Sequence, residues 1–439
     1  MEKDVIGNPA PRFCQQSHLP QGHFGLQCSS AVAENQPNKN RMNQELSDFA
    51  ARLRELISNQ QSAIGNQQFS ELALELFALQ FKHNAAYHRI CEARCSTPKV
   101  VEHWTQIPAV PTTAFKELEL SSIPPEERTA VFHSSGTTEQ KPSWHFHNPE
   151  SLEIYEMSLW SWFAQNVLPD LRFTIYDLRP ENKSAIGNRQ SAIFLTPPPT
   201  QAPHSSLVHM FETIRQKLGA PESAFVGEIA ADGPWTLDFD AALAALHSSL
   251  VTRHSSLLLG TAFSFVHLLD FLGERDLRFQ LPPGSRVMET GGYKNRSRSL
   301  PKAELHALIT ERLGIPRENI ICEYGMSELS SQAYAVARDK WQVPREDAAP
   351  CHLSPVTCHF QFPPWTRVQI VSPETGREVA DGETGLIRVF DLANIFSVMA
   401  VQTEDLVVRR DDGFELIGRA QFAEPRGCSL MMEGSHFPD

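Results

Sequence analysis

What this sequence lacks narrows its class before any motif is read. No uncharged apolar run reaches the roughly 18 residues that a membrane-spanning helix needs. The closest, Leu257 to Leu269, is too short and carries His267. Met1-Glu2-Lys3-Asp4 offers no basic segment leading into an apolar one, so no secretory leader is expected and the cytoplasm is the expected compartment. Cysteine is scattered, with eight at 14, 28, 91, 95, 322, 351, 358 and 428 in no regular framework. That excludes a disulfide-stapled scaffold and predicts free thiols. Positive charge is in deficit: 39 Lys and Arg against 52 Asp and Glu leave a net charge of −13. A general binder of nucleic acid or anionic membrane is thereby excluded, and any phosphate must be met by a local site. There is no Gly-Lys-Ser/Thr ending of a Walker loop, and no G-x-S-x-G elbow of an α/β-hydrolase.

What is present is ordinary globular material, 41% hydrophobic and 21% charged over 439 residues, enough for a sizeable core. Residues 1–40, rich in Pro, Gln, Asn and Ser without an apolar period, read as a disordered arm. Leu46, Phe49, Ala50, Leu53, Leu56 and Ile57 then share one helical face, and Leu72, Leu76 and Leu79 mark a second helix from about Phe69. Beyond residue 100, short apolar runs alternate with amphipathic helices, the α/β pattern. Asn148-Pro149 predicts a capped helix start. Gly219 and Gly314 predict helix stops after 205–218 and 301–313. Strands are expected at 368–371 and 386–389, with a hairpin turning at Asp411-Asp412-Gly413.

Four segments carry chemistry. After a strand-like Ala130-Val131-Phe132 comes His133-Ser134-Ser135-Gly136-Thr137-Thr138-Glu139-Gln140-Lys141-Pro142, whose small residues can turn several N–H groups and hydroxyls toward one anion. Glu289-Thr290-Gly291-Gly292-Tyr293-Lys294 continues into Asn295-Arg296-Ser297-Arg298, where paired glycines admit a ligand close to the backbone. Ile320 to Tyr324 is an apolar strand followed by Gly325-Met326-Ser327-Glu328: an aromatic face, hydroxyls and a hard oxygen ligand for Mg²⁺. Thr403-Glu404-Asp405 pairs with Gly413 and Ile417-Gly418-Arg419, a carboxylate for hydroxyls and a guanidinium for phosphate.

In this order the segments resemble the adenylate-forming superfamily of acyl-CoA ligases and adenylation domains. Thr290 to Lys294, Glu323 to Gln332 and Arg426-Gly427-Cys428-Ser429-Leu430 resemble one branch closely, the acyl-protein synthetase (LuxE) family of bacterial bioluminescence, over roughly residues 45 to 435. The resemblance implies an α/β fold with the architecture of the superfamily's N-terminal domain and a truncated C-terminal appendage. It divides the chain into the arm at 1–40, an acyl-protein synthetase domain at 41–408, and a hinge strand pair with a short tail at 409–439.

It further implies that Ser134, Ser135, Gly136, Thr137 and Thr138 grip the β- and γ-phosphates of ATP. Gly291 and Gly292 would lie against the adenine, with Tyr324 on its other side and Gly325 also among the nucleotide-binding residues. Ser327 would touch the α-phosphate, Glu328 hold Mg²⁺, Asp405 accept from the ribose hydroxyls, and Arg419 stand at the hinge. A carboxylic acid, expected to be a fatty acid, would attack the α-phosphorus, and the acyl group would pass to Cys428. An acyl reductase or acyl carrier would be the onward partner.

Two departures stand out. Glu139 occupies a position where the superfamily continues with Thr-Gly, and only twenty residues follow Arg419, too few for the domain that supplies a catalytic lysine. Lys294 and Lys141 are the candidate replacements, with Lys294 carried forward. Cys428 lies nine residues past Arg419, within roughly 30 Å of extended chain. Rival readings are an acyl-CoA or carrier-protein ligase, which would not need Cys428, and a non-catalytic nucleotide- or acyl-binding subunit. Gly260 to Phe265 divides evenly between acyl pocket and plain core. Cys351-His352 and Cys358-His359 lack the usual zinc spacing, and His145 and His147 are expected to pack on one strand face.

Overall fold

The computed structural model describes residues 39–59, 64–134, 141–168, 190–231, 233–291, 300–335, 359–411 and 413–420. The chain opens with helices α1 (Lys39–Ser58), α2 (Asn66–His83) and α3 (Ala85–Ala93), then β1 (Val110–Pro111), α4 (Ala114–Glu117), β2 (Ala130–His133) and β3 (Trp144–His147). It continues through α5 (Pro149–Val167), β4 (Ser191–Phe194), α6 (Ser206–Leu218), β5 (Ala224–Phe225), β6 (Gly227–Ile229), β7 (Trp235–Leu237), α7 (Phe239–Thr252), β8 (Ser256–Thr261) and α8 (Ala262–Glu274). Then follow β9 (Arg286–Thr290), α9 (Lys302–Leu313), β10 (Ile320–Tyr324), β11 (Ala333–Ala335), β12 (His359–Gln361), β13 (Thr366–Val371), β14 (Thr384–Asp391), β15 (Ala400–Arg410) and β16 (Gly413–Arg419).

The local signals act as their chemistry requires. Asn148 and Ser151 form a reciprocal capping box at the start of α5. Gly219 and Gly314 end α6 and α9 in the left-handed region, at φ 61° and 68°. Arg410 pairs with Gly413 across the expected hairpin. Cys91 and Cys95, spaced by one helical turn, do not share a helix. Helix α3 ends at Ala93, leaving Cys91 buried and Cys95 exposed at φ 52°.

Eleven strands run in the order β13-β14-β15-β16-β12-β11-β10-β9-β8-β4-β5, and β1 joins β15 to make a twelve-stranded sheet. From β5 to β10 the pairs are parallel; from β10 to β13 they are antiparallel. The parallel half is covered on both faces, which is why β8 is an unbroken buried run rather than an alternating one. Its Leu257 and Leu259 meet α5 and α6, whereas Leu258 joins the core with α8 and α9. Helices α1 to α3 pack over the antiparallel half, where Phe49, Leu53, Phe77 and Tyr87 share a core with Ile370, Val389 and Val401. No helix among the described residues is long and apolar enough to cross a membrane.

Candidate functional site

The carboxyl ends of β8, β9 and β10, where the parallel half gives way to the antiparallel one, open into a cavity of about 430 Å³. Ligands of open α/β sheets bind in such a crevice. Eight residues singled out from sequence line it together: Ser134, Gly291, Tyr324, Gly325, Ser327, Glu328, Asp405 and Arg419. Ser135, Gly136, Thr137, Thr138, Gly292, Lys294 and Cys428 lie outside the described residues.

Each wall has a local cause. Gly291 follows β9 at φ 76°, a conformation that L side chains rarely adopt, and a Cβ there would stand in open space. Tyr324 ends β10, and its ring packs against Phe360, Phe362 and Phe414. Its hydroxyl donates to Asp405 Oδ2 at 2.8 Å. Burial and the neighbouring Asp405 push its phenol well above the ordinary range. Asp405 faces Arg419 across β15 and β16; Arg419 Nε donates to its Oδ1 at 3.1 Å and a second guanidinium nitrogen to Glu404 at 3.0 Å. Each carboxylate oxygen can accept more than one bond, so Asp405 keeps capacity for a ligand hydroxyl.

The segment after Tyr324 is pinned from three sides. Ser327 Oγ donates to Glu328 Oε2 at 3.0 Å, and the Glu328 carboxylate is almost fully buried while lining the cavity. His145 Nδ1–H on β3 donates to the Ser327 carbonyl at 2.7 Å. Burial lowers the affinity of that imidazole for a second proton. Asn394 donates to the Glu328 carbonyl at 2.9 Å, and Asp391 accepts from Ser330 N–H and Ser331 Oγ. The buried Asp391 carboxyl is raised to about 6 by burial, against those bonds. His145 and His147 pack on one face of β3 as expected, ring centroids 4.3 Å apart. Asp391 and Asn394 were not singled out from sequence, and no local pattern marks them; they act only once β14 and its turn are brought beside Ser330.

Further features were missed or only half read. Lys302, at the start of α9, lines the cavity and holds the buried Glu289 at 2.9 Å; its place just after the cationic segment was the available signal. Lys141 is exposed and pairs with Glu117 at 3.4 Å. Thr261 lines the cavity while Phe263 and Phe265 lie in the core, so the Gly260–Phe265 segment contributes to both the cavity wall and the core. The opposite wall comes from α5 and α6 through Tyr155, Leu207 and Met210, for which no sequence motif speaks.

The fold has known counterparts. It superposes on a 2-hydroxyisobutyryl-CoA ligase in complex with 2-HIB-AMP and CoA, with a TM-score of 0.52 at 14% identity, covering 81% of this chain and 76% of that one. The same ligase in its thioesterification state gives 0.52 over 88% and 69%. The fold is therefore that of the adenylate-forming enzymes. In sequence, a family model described as "Acyl-protein synthetase, LuxE" matches residues 220–436. A long-chain-fatty-acid–luciferin-component ligase of Vibrio harveyi is 22% identical over 83% of this chain and 87% of its own. Its namesake from Aliivibrio fischeri is 24% identical over 45% and 50%. The chain is thus similar to the acyl-protein synthetase (LuxE) family, whose model covers residues 220–436, and it is an enzyme of the ligase class.

Proposed function

We propose that this enzyme uses ATP and Mg²⁺ to activate a carboxylic acid as its acyl-adenylate and then passes the acyl group to the Cys428 thiol. The observation that carries the reading is the convergence of eight separately identified residues, from Ser134 to Arg419, on one cavity at the ends of the parallel strands. The acid is read as a fatty acid on the strength of the relatives' names.

The donor set fits a nucleotide. Gly291 leaves open space where any other residue would place a Cβ. Tyr324 offers a fixed aromatic surface, and Asp405 accepts from hydroxyls while Arg419 and Tyr324 hold it in place. Glu328, a buried carboxylate at the cavity wall, would hold Mg²⁺, which supplies charge neutralisation at the phosphates. Ser327 beside it would meet the α-phosphate, and Ser134 with the segment 135–138 the outer phosphates. The first step then forms a carboxylate oxygen–phosphorus bond and releases pyrophosphate. Positioning and fixed charge carry it, with no covalent bond to the protein. In the second step the Cys428 thiolate attacks the acyl carbon and AMP leaves. Lys294 is proposed as the cation beside the reacting phosphate.

Carboxylate-dependent ATP–pyrophosphate exchange with Mg²⁺ tests the first step. Intact mass of the product tests the second: a wild-type acyl adduct that disappears in Cys428→Ala supports transfer to that thiol. Exchange retained with no adduct in the wild type would favour an external thiol. No exchange with any acid would favour a binding subunit.

A further inference from the structure

Two parts of the cavity wall that the nucleotide reading sets along the triphosphate belong to different sheets. Ser134 leaves β2, which pairs with β3 in a separate two-stranded sheet. Ser327 and Glu328 follow β10 of the twelve-stranded sheet. Strand pairing therefore does not set the distance between them.

Side chains of the β2–β3 hairpin bridge the gap. His145, opposite Phe132 in the hairpin register and 3% exposed, donates from Nδ1 to the Ser327 carbonyl at 2.7 Å. Ser143, fully buried just before β3, turns to both parts. Its N–H donates to the Ser134 hydroxyl at 2.9 Å, and its own hydroxyl lies 3.4 Å from that of Ser327. The hairpin has a fixed base as well, since the His133 N–H donates to the His204 carbonyl at 2.9 Å. Burial lowers the affinity of the His145 ring for a second proton. The ring therefore stays neutral with its proton on Nδ1, and the bond to Ser327 fixes a position without adding charge.

We propose that His145, assisted by Ser143, is a positioning residue for the nucleotide. It sets the separation between the part of the site that meets the outer phosphates of ATP, opened by Ser134, and the part that meets the α-phosphate at Ser327. The proposal deepens the adenylation reading and rests on its placement of the nucleotide. ATP spans both parts and depends on the tie, whereas AMP reaches only the Ser327 side and does not. Attack on the α-phosphorus needs the departing pyrophosphate held in line, and a misplacement of about 1 Å costs about 100-fold in rate.

The test titrates MgATP and AMP calorimetrically into the full-length wild type, His145→Phe and His145→Asn. His145→Phe keeps an aromatic ring against Phe115 and His147 and deletes the donor. His145→Asn returns an N–H at the same number of bonds from the backbone. In His145→Phe, MgATP should bind about 10- to 100-fold more weakly while AMP changes by about threefold or less. ATP–pyrophosphate exchange, run with linear acids from acetate to hexadecanoate, should fall by about 100-fold in His145→Phe and recover to within about tenfold of wild type in His145→Asn. A parallel loss of both nucleotides, unchanged MgATP binding, or a split that His145→Asn does not narrow overturns the proposal. Should His145→Phe fail to fold, Ser143→Ala carries the test with an expected loss of about three- to tenfold for MgATP alone, and no loss there overturns the proposal. The predicted split without exchange from any acid in the wild type would remove the adenylation reading and leave this one standing. A wild type that binds neither nucleotide would remove both.

Discussion

Replacing Lys302 with Met isolates one buried charge next to the site. Glu289 is fully buried on β9, and the Lys302 ammonium reaches its Oε1 at 2.9 Å, with His306 Nε2 at 3.5 Å and Cys322 close by. Burial works to raise this carboxyl, yet the ammonium and the bonds from His306, Cys322 and Lys302 hold it at about 2, below its ordinary 4.5. At about 1.4 kcal/mol per pH unit, that displacement corresponds to about 3 kcal/mol at neutral pH. Lys302 is itself 36% exposed, so water supplies part of its stabilisation. Lys302→Met should therefore cost about 2–3 kcal/mol at pH 7, toward the low end for breaking a buried pair. The sign follows from the depressed carboxyl: its contribution is present above pH 4.5 and is lost as pH falls toward 2. Without the ammonium, burial pushes Glu289 up, so the variant's deficit should be greatest at neutral pH and shrink near pH 5. Urea denaturation across that range measures it, and adding Glu289→Gln should recover most of the loss. A deficit below about 0.5 kcal/mol at pH 7 would refute the reasoning.

Two other outcomes are expected. Glu328→Gln should lower Mg²⁺-dependent ATP–pyrophosphate exchange by about 100-fold or more, and a variant within threefold of wild type would remove Glu328 from the metal role. Glu323 is raised to about 7, by burial foremost, with the Thr290 bond opposing and Glu289 assisting. A carboxyl raised on folding stabilises fully below its unfolded value near 4.5 and loses that contribution as pH rises through 7. Stability relative to Glu323→Gln should accordingly decline between pH 5 and 8, by up to about 3 kcal/mol; a flat difference would show that Glu323 does not titrate there.

Much of the site was legible because its chemistry sits in short contiguous segments. A strand, a tight turn and a run of hydroxyls or carboxylates are properties of neighbours in the chain, and Ser134, Gly291, Ser327 and Asp405 could be picked out on that basis. Helix limits were legible for the same reason, since Asn148, Gly219 and Gly314 act within a few residues of themselves. The supporting layer was not. Asp391 bonds Ser331 across 60 positions and Gln80 bonds the Asn394 carbonyl across 314; nothing local in either partner announces the other. A lysine at a helix start is usually a solvated one, whereas Lys302 compensates a carboxylate buried on the adjoining strand.

Sequence alone determined the alternation of elements, because periodicity, capping and glycine conformations are set by residues within a turn or two, and it held the ordered motifs that carry the resemblance to the adenylate-forming superfamily. It also determined which residue types could meet a phosphate, a hydroxyl or a divalent cation. Only the tertiary structure decided that β8 to β11 align so that Thr261, Thr290, Glu323 and Tyr334 form one polar row. Strand register depends on the packing of whole faces, and shifting one strand by a residue would turn every one of its side chains to the opposite side. The same holds for which buried polar atoms find partners, since that depends on every element packed around them.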